Sequence, residues 1–374
     1  MILEHIALDI ENSGSMQSQS GLQNLYPRIY GVFARPEGAG GVAAVVMHPT
    51  SNFMGHYLPK PLVERGVACL ALNSRYLGND VLLQMELVLQ DLGAGVHFLR
   101  KRGYRYIFLI GNSGGAALAA FYQAEAEQLT AIEFPDGEPT NLAASQLPPV
   151  DGLILSAAHL GRAQFLLDWI DPAVIDEHDI LATDLTIDMY GGGPSAPYEP
   201  AFVALYRQRQ KARRDRIEAW VEERLGVLRK LPSGPRDQAF IIYRTHADLR
   251  FLDLTLEPNG RQLGGIWRDP RSINYAPNAI GRLSSLRSFL SQWSSRSRAE
   301  GPVNLRRTSV QVLHLYHAAD ASTFESTKAA WLAAAAGRIQ NVDLAGASHY
   351  LIGQPELVQA SADYMAEWME RQCI

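Results

Sequence analysis

The sequence predicts an α/β fold in which a mostly parallel β-sheet is covered by helices on both faces. Short apolar runs rich in Val, Ile and Leu have the composition of strands that are buried on both faces. Helical patterns lie between these runs, and such alternation favours a parallel sheet. A chain of 374 residues that is 47% hydrophobic and 20% charged can also bury a large core.

The predicted strands are bounded by Gly, Pro or Asn and occupy residues 42–47, 67–72, 106–110, 153–155, 312–316 and 339–344. The clearest helical pattern spans residues 81–100, where Leu82, Met85, Leu89, Leu92, Val96 and Leu99 recur at helical spacing. Asp80 is placed to cap the start of this helix. A second helix is predicted from Gly114 through an alanine-rich segment to about Gln128.

The strand–helix alternation is interrupted between residues 159 and 305. This stretch holds a strongly charged helical pattern at about 201–230 and more aromatic residues than a linker needs, among them Trp169, Tyr190, Trp220, Trp267, Tyr275 and Trp293. We expect it to be an inserted, mainly helical cap. Residues 1–158 and 306–374 then form the core domain.

The charge pattern argues against a nucleic-acid partner. Arg207, Arg209, Lys211, Arg213, Arg214 and Arg216 lie close together, but Glu218, Glu222 and Glu223 follow at once. Such mixed charge is typical of a solvated helix face, and a formal net charge of −5 provides no field that gathers a polyanion. A small-molecule substrate is the expected partner, and the sequence permits a homodimer.

The cysteine content and the N-terminus predict a cytoplasmic protein. Only Cys69 and Cys373 occur, so no disulfide framework is expected. Residues 1–9 carry acidic residues and lack the basic and apolar regions of a secretory signal. No stretch approaches the roughly 20 apolar residues that a membrane span needs.

The segment from Tyr106 to Gly115 carries the most chemical information. It reads YIFLIGNSGG and contains Gly-x-Ser-x-Gly around Ser113, between an apolar strand and an alanine-rich helix. Small residues in this pattern let a strand turn sharply into a helix and expose the serine hydroxyl at the tip. Ser113 is therefore the candidate nucleophile, and the alternative is an ordinary serine in a tight glycine turn.

A serine hydroxyl needs a base within hydrogen-bonding reach and a third group that orients the base. Asp320 follows the predicted strand 312–316, and His349 follows the predicted strand 339–344. The carboxyl ends of parallel strands meet at one edge of the sheet, so both side chains should approach Ser113 there. Asp343 and Asp248 are other carboxylates that could take the place of Asp320.

An oxyanion hole is also required, because backbone N–H groups must stabilise the charge on a tetrahedral intermediate. One donor should be the amide of Gly114, and the other should lie in the loop after the strand 42–47. Pro49 has no N–H, which leaves Thr50 or Ser51 as the candidate. The residues expected to line the pocket are His48, His56, Tyr57 and Asn112.

We expect neither a metal nor another cofactor. None of the spacings among the ten histidines suits a metal site. The glycine-rich patterns that bind dinucleotides and nucleoside triphosphates are likewise missing from the sequence.

The sequence resembles the α/β-hydrolase superfamily of esterases, lipases and related enzymes. The resemblance lies in the sharp turn around Ser113, the loop that begins at His48, and the positions of Asp320 and His349. The resemblance covers about 1–158 and 306–374. It implies an eight-stranded, mostly parallel sheet and a lid between the sixth and seventh strands, where residues 159–305 fall. Many relatives have His-Gly where this chain has His48-Pro49.

The leading hypothesis is a serine hydrolase that cleaves a carboxylic ester or lactone of a small to medium apolar substrate. Ser113 would attack the carbonyl, His349 would take its proton and Asp320 would orient His349. One alternative is a carbon–carbon bond hydrolase of ring-fission products with the same triad. Another is a non-catalytic ligand-binding protein on the same scaffold.

Overall fold

The computed structural model describes residues 1–10, 17–19, 22–24, 27–38, 40–267 and 269–373. An eight-stranded sheet forms its centre, with the strands, in chain order, β1 (Ile2–Asp9), β2 (Arg28–Arg35), β3 (Val42–His48), β4 (Ala68–Asn73), β5 (Tyr106–Asn112), β6 (Gly152–Ser156), β7 (Gln311–His317) and β8 (Ile339–Leu344). Their order in space is β1-β2-β4-β3-β5-β6-β7-β8. Pairing is antiparallel from β1 through β2 to β4 and parallel beyond it, which confirms the predicted mostly parallel sheet.

The six predicted strands correspond to β3–β8, and the sequence analysis did not identify β1 and β2. The reason lies in burial. Every residue of β4 is buried, which gives the continuous apolar run expected for a central strand. Burial in β1 instead alternates between half-buried and exposed residues, so this edge strand carries a mixed polar and apolar sequence.

Helices cover both faces of the sheet, as predicted. In chain order the helices are α1 (Pro59–Glu64), α2 (Met85–Lys101), α3 (Gly115–Glu127), α4 (Arg162–Trp169), α5 (Pro200–Arg229), α6 (Pro270–Tyr275), α7 (Leu286–Gln292), α8 (Gly301–Leu305), α9 (Glu325–Ala334) and α10 (Pro355–Arg371). Residues of α2, α3, α8 and α9 share one buried cluster with the sheet. Residues of α1 and α10 share the cluster on the opposite face.

Three pairs of short antiparallel strands lie outside the central sheet, and single-turn 3-10 helices occur at Ala144–Gln146 and Leu249–Phe251. The strand pairs are Gln17–Gln19 with Leu22–Asn24, Val174–Asp176 with Asp179–Thr183, and Ala239–Ile241 with Leu283–Ser285. None of the helices in the described parts of the chain combines the length and apolar character that a membrane crossing requires.

The first predicted helix starts later than expected. It begins at Met85 with Gln84 at the cap position, so the assignment of Asp80 as its N-cap was wrong. The Asp80 carboxylate instead accepts a hydrogen bond from Arg162 at 2.8 Å, and the carbonyl of Val81 accepts one from the amide of Ser285 at 2.8 Å. These contacts with residues after β6 keep the segment before Met85 out of the helix.

Residues 159–305, here called the inserted segment, lie between β6 and β7 and contain two buried clusters of their own. The long helix α5 joins them, with Tyr206 in one cluster and Val221 in the other. The expected solvated helix face is only partly right, because Arg213 on this helix is 1% exposed. Arg213 donates to the carboxylate of Glu177 at 2.6 and 2.8 Å. Its charge therefore stabilises the inserted segment itself.

A buried carboxyl group joins the inserted segment to the core. Glu86 on α2 accepts a hydrogen bond from the Ser291 hydroxyl of α7 at 2.6 Å, and the amide of Met85 donates to the same hydroxyl at 2.8 Å. The other carboxyl oxygen of Glu86 has no hydrogen-bond partner in the described residues. Burial consequently raises the pKa of Glu86 from 4.5 to about 7.

Replacing Glu86 with glutamine should stabilise the protein at pH 8 but have little effect at low pH. Because the folded-state pKa of Glu86 is raised from 4.5 to about 7, the unfolded chain loses this proton first as pH rises. The free energy of unfolding of the wild type therefore falls as the pH rises from about 4.5 to about 7. The glutamine side chain stays neutral, so the variant avoids this loss of up to about 3 kcal/mol. Urea unfolding of both proteins at pH 5 and pH 8 measures the gain. An equal difference at the two pH values would assign the effect to something other than ionisation of Glu86.

Candidate active site

Ser113 lies at a sharp turn between β5 and α3. Its φ is 57°, in the left-handed region that non-glycine residues rarely adopt. A β-carbon on Gly111 would lie 2.5 Å from the α-carbon of Ala116, and one on Gly115 would lie 2.4 Å from the carbonyl oxygen of Met47. The turn can therefore be this tight only with glycine at both positions. The tip of the turn exposes the Ser113 hydroxyl to a cavity.

The two predicted partners of Ser113 lie beside it. His349 Nε2 is 3.0 Å from Ser113 Oγ, and His349 Nδ1 is 2.6 Å from Asp320 Oδ2. Asp320 follows β7 and His349 follows β8, so the geometry is the one expected from the order of the strands. Both side chains are buried, with 0% of Asp320 and 3% of His349 exposed. Water therefore does not compete for the hydrogen bond between them.

Asp320 is held as an anion by four hydrogen bonds. Its carboxylate accepts from the amide of Ser322 at 2.7 Å, the Ser322 hydroxyl at 2.8 Å and the Thr323 hydroxyl at 2.8 Å, in addition to His349. Burial alone would raise the pKa of Asp320, but the neighbouring, hydrogen-bonded His349 holds the pKa below its usual value. An ionised Asp320 favours the tautomer of His349 that carries its proton on Nδ1.

Two polar residues that the sequence analysis did not identify support this arrangement. The Ser322 hydroxyl lies 3.1 Å from His349 Nδ1 and 3.0 Å from Nε2 of His159. The ring of His159 stacks on Phe165 at 4.5 Å, and burial lowers its pKa to about 3, so His159 is neutral at physiological pH. The position of His159 just after β6 was the signal available, because the carboxyl ends of parallel strands share one edge.

A further histidine fixes the backbone that leads into His349. Nδ1 of His317, the last residue of β7, lies 2.8 Å from the carbonyl oxygen of Ser348, to which it donates. The Ser156 hydroxyl at the end of β6 is 3.0 Å from the other ring nitrogen of His317. This link from β6 through β7 to the loop after β8 holds the base in position.

The loop after β3 differs from the expectation for an oxyanion hole. The amides of Thr50 and Ser51 both donate to Nδ1 of His48, at 3.1 and 3.0 Å. Neither amide is therefore free to bind a substrate oxygen in this conformation. The amide of Gly114 immediately precedes α3 and has no partner within that helix.

Ser113 opens into a cavity of about 640 Å³ between the core and the inserted segment. The four residues expected to line the pocket, His48, His56, Tyr57 and Asn112, all do so. The remaining wall is largely apolar, and both parts of the chain contribute to it. The apolar residues are Phe53, Leu351 and Ile352 from the core, and Phe165, Ile266, Trp267, Ile280 and Trp293 from the inserted segment. The Trp267 indole donates to the Tyr350 hydroxyl at 3.1 Å and links the two walls.

One ion pair lies in this largely apolar wall. Arg162 at the start of α4 donates to Asp80 at 2.8 Å, and its guanidinium lies 4.2 Å from the centre of the Trp293 ring. The two opposite charges compensate each other within the cavity. Among the described residues, no cluster of three or more His, Cys, Asp or Glu could hold a metal ion.

Comparison with solved structures supports the fold. The structure of DcsB in complex with its substrate analogue matches 99% of this chain and 100% of that chain, at 12% identity and a TM-score of 0.53. The esterase domain of a Rhodothermus marinus protein matches 99% of both chains at 12% identity, with a TM-score of 0.49. No protein-family model matches the sequence, and a search of curated proteins gives no significant match. The strand order and the likeness to the DcsB structure show that the chain has the α/β-hydrolase fold.

Proposed function

We propose that the protein is a serine hydrolase that cleaves a carboxylic ester or lactone of a small to medium apolar substrate. The observation that carries this proposal is the chain of hydrogen bonds from Asp320 through His349 to Ser113, at 2.6 and 3.0 Å. These distances lie within the reach that a nucleophile, its base and its orienting acid require. The Ser113 hydroxyl at the end of this series of hydrogen bonds opens into a cavity whose size is suited to such a substrate.

The proposed reaction has two stages. In the first, Ser113 Oγ bonds to the carbonyl carbon while its proton passes to His349 Nε2, and the intermediate then releases the alcohol, which takes that proton. In the second, His349 removes a proton from water, whose oxygen bonds to the acyl carbon, and the bond from that carbon to Ser113 Oγ then breaks. The carboxylic acid leaves, and Ser113 Oγ takes the proton back from His349. Asp320 remains ionised throughout and stabilises the charged imidazole.

The walls of the cavity support an apolar substrate. Phe165 and Trp267 offer partly exposed aromatic surfaces, and burial of apolar area is the main source of affinity in such pockets. The charged side chains in the wall, Arg162 and Asp80, already pair with each other. We further propose that the inserted segment acts as a cap, because it supplies these aromatic residues and has buried clusters of its own.

The test uses the intact chain with a fluorophosphonate probe and a series of p-nitrophenyl esters of increasing acyl length. We expect a covalent adduct that peptide mass spectrometry assigns to Ser113, together with ester turnover. Lactones and a vinylogous diketone of the ring-fission type are assayed in parallel, with product identification by mass. Turnover of the diketone alone would replace the ester assignment with carbon–carbon cleavage. Ligand binding without turnover and without an adduct would indicate a non-catalytic protein.

A further inference from the structure

The protonation of the His48 ring is determined by the loop around it. Nδ1 accepts the amide hydrogens of Thr50 at 3.1 Å and Ser51 at 3.0 Å. A nitrogen that receives two N–H groups cannot also carry a proton, so the neutral ring has its proton on Nε2. A second proton would have to bind to Nδ1, where it would point at the N–H groups of Thr50 and Ser51. Burial also lowers the pKa of His48 well below its usual range. His48 is therefore a neutral donor at Nε2.

This donor lies beside Gly114, the residue that follows the candidate nucleophile. His48 is the last residue of β3, at the same sheet edge as Ser113. Of the ring atoms of His48, Nε2 lies nearest to the position that a β-carbon on Gly114 would occupy, at 2.9 Å. Both His48 and Gly114 line the cavity. Glycine at position 114 thus lets the Nε2–H group approach the residue whose amide is expected to bind the oxyanion.

We propose that Nε2–H of His48, together with the amide of Gly114, forms the oxyanion hole. The inference rests on the proposed function and replaces the Thr50 or Ser51 amide with a side chain. The two loop amides hold the ring from behind, and the ring presents its own N–H to the cavity. Such a donor is oriented before the substrate binds, which is what stabilisation of a developing negative charge requires.

His48 donates a hydrogen bond and transfers no proton. The charge that forms on the carbonyl oxygen returns to the carbonyl when the leaving group departs, so His48 ends each stage unchanged. Pro49 follows His48 directly and has no N–H, so it offers no competing donor in this loop. His349 is left as the only described histidine that contacts the Ser113 hydroxyl.

Two substitutions separate a role in binding the oxyanion from a role in holding the loop. In His48→Asn the side-chain oxygen can replace Nδ1 as the acceptor for Thr50 and Ser51, but no group reaches the position of Nε2. In His48→Gln the side-chain amide can reach that position and donate, whereas the acceptor at Nδ1 is lost. The measured quantities are kcat and KM for a p-nitrophenyl ester, and thermal unfolding verifies that both variants fold.

We expect His48→Asn to lose about 100-fold or more in kcat with little change in KM, as for removal of one oxyanion donor. His48→Gln should recover at least about tenfold of that loss. Affinity for a trifluoromethyl ketone, which forms a charged adduct with Ser113, should fall in parallel with kcat/KM. If kcat of His48→Gln is no higher than kcat of His48→Asn, the inference is overturned, because the role of His48 would then be to hold the loop.

The wild-type protein distinguishes failure of this inference from failure of the proposed function. If wild type neither hydrolyses the ester nor forms an adduct at Ser113, the proposed function itself is wrong, and the inference falls with it. If wild type is active and His48→Asn retains wild-type kcat, only the role assigned to His48 is wrong.

Discussion

Replacing Ser113 with alanine is expected to lower kcat for ester hydrolysis by about four orders of magnitude or more. The substitution removes the atom that would form the acyl-enzyme, and the neighbouring His349 can then only assist direct attack by water. The β-carbon is kept, so the turn with φ of 57° is retained and the fold should be unaffected. Steady-state kinetics with p-nitrophenyl acetate and labelling with a fluorophosphonate probe measure the loss.

Ser322→Ala is the matched control for this experiment. Its hydroxyl also lies 3.1 Å from a nitrogen of His349, but on the Nδ1 side, away from Ser113. Ser322→Ala also removes the hydroxyl's bond to Asp320 and its contact with His159, but Asp320 keeps three other donors, including His349. We therefore expect kcat to fall by at most about tenfold and labelling to stay intact. Retained labelling of Ser113→Ala, or labelling that disappears only in Ser322→Ala, would contradict the assignment of Ser113 as nucleophile.

The sequence predicted much of the fold because the central strands are buried on both faces. Burial on both faces makes β3 to β7 largely apolar runs, and helices at regular intervals between the predicted strands imply parallel pairing. Parallel strands place their carboxyl ends at one edge, which was sufficient to bring Ser113, Asp320 and His349 together in the prediction. The antiparallel strands β1 and β2 lack a continuous apolar run and were missed, whereas the opposite edge strand β8 was predicted although it is only partly buried.

The remaining features depend on contacts between residues far apart in the chain. Arg162 is 82 positions from Asp80, and the ion pair between them removed the carboxylate from the predicted cap position. Arg213 was interpreted as part of a solvated helix face, although its partner Glu177 lies 36 positions away. Neither pairing has a local pattern from which it could be recognised.

The oxyanion hole illustrates a different difficulty. The sequence predicted a donor in the loop after β3 but could not indicate which of its amides are already hydrogen-bonded, because the orientation of an amide depends on a local turn. Here the ring of His48 folds back over its own loop and takes up the amides of Thr50 and Ser51. Only the folded structure reveals that these donors are occupied and that Nε2 of the same ring lies beside Gly114.

Replacing Asp320 with asparagine should lower kcat by about 10⁴-fold while leaving the cavity intact. The asparagine amide would donate to Nδ1 of His349, so the imidazole proton would move to Nε2 and face the Ser113 hydroxyl. A ring nitrogen that already carries a proton cannot accept another from serine. Nitrogen NMR of labelled histidine measures the tautomer directly, with Nδ1 protonated in wild type and Nε2 protonated in the variant.

Asp343→Asn is the appropriate control, because Asp343 lies on the neighbouring β8 but is exposed and pairs with Lys328 at 2.9 Å. An exposed ion pair of this kind contributes at most about 1 kcal/mol, so kcat should hardly change. Urea unfolding separates lost activity from lost stability, since Asp320 is fully buried. Near-wild-type kcat in a folded Asp320→Asn protein would show that another group orients His349. Among the described residues, the hydroxyl of Ser322 is the one other side-chain group within hydrogen-bonding distance of His349 Nδ1.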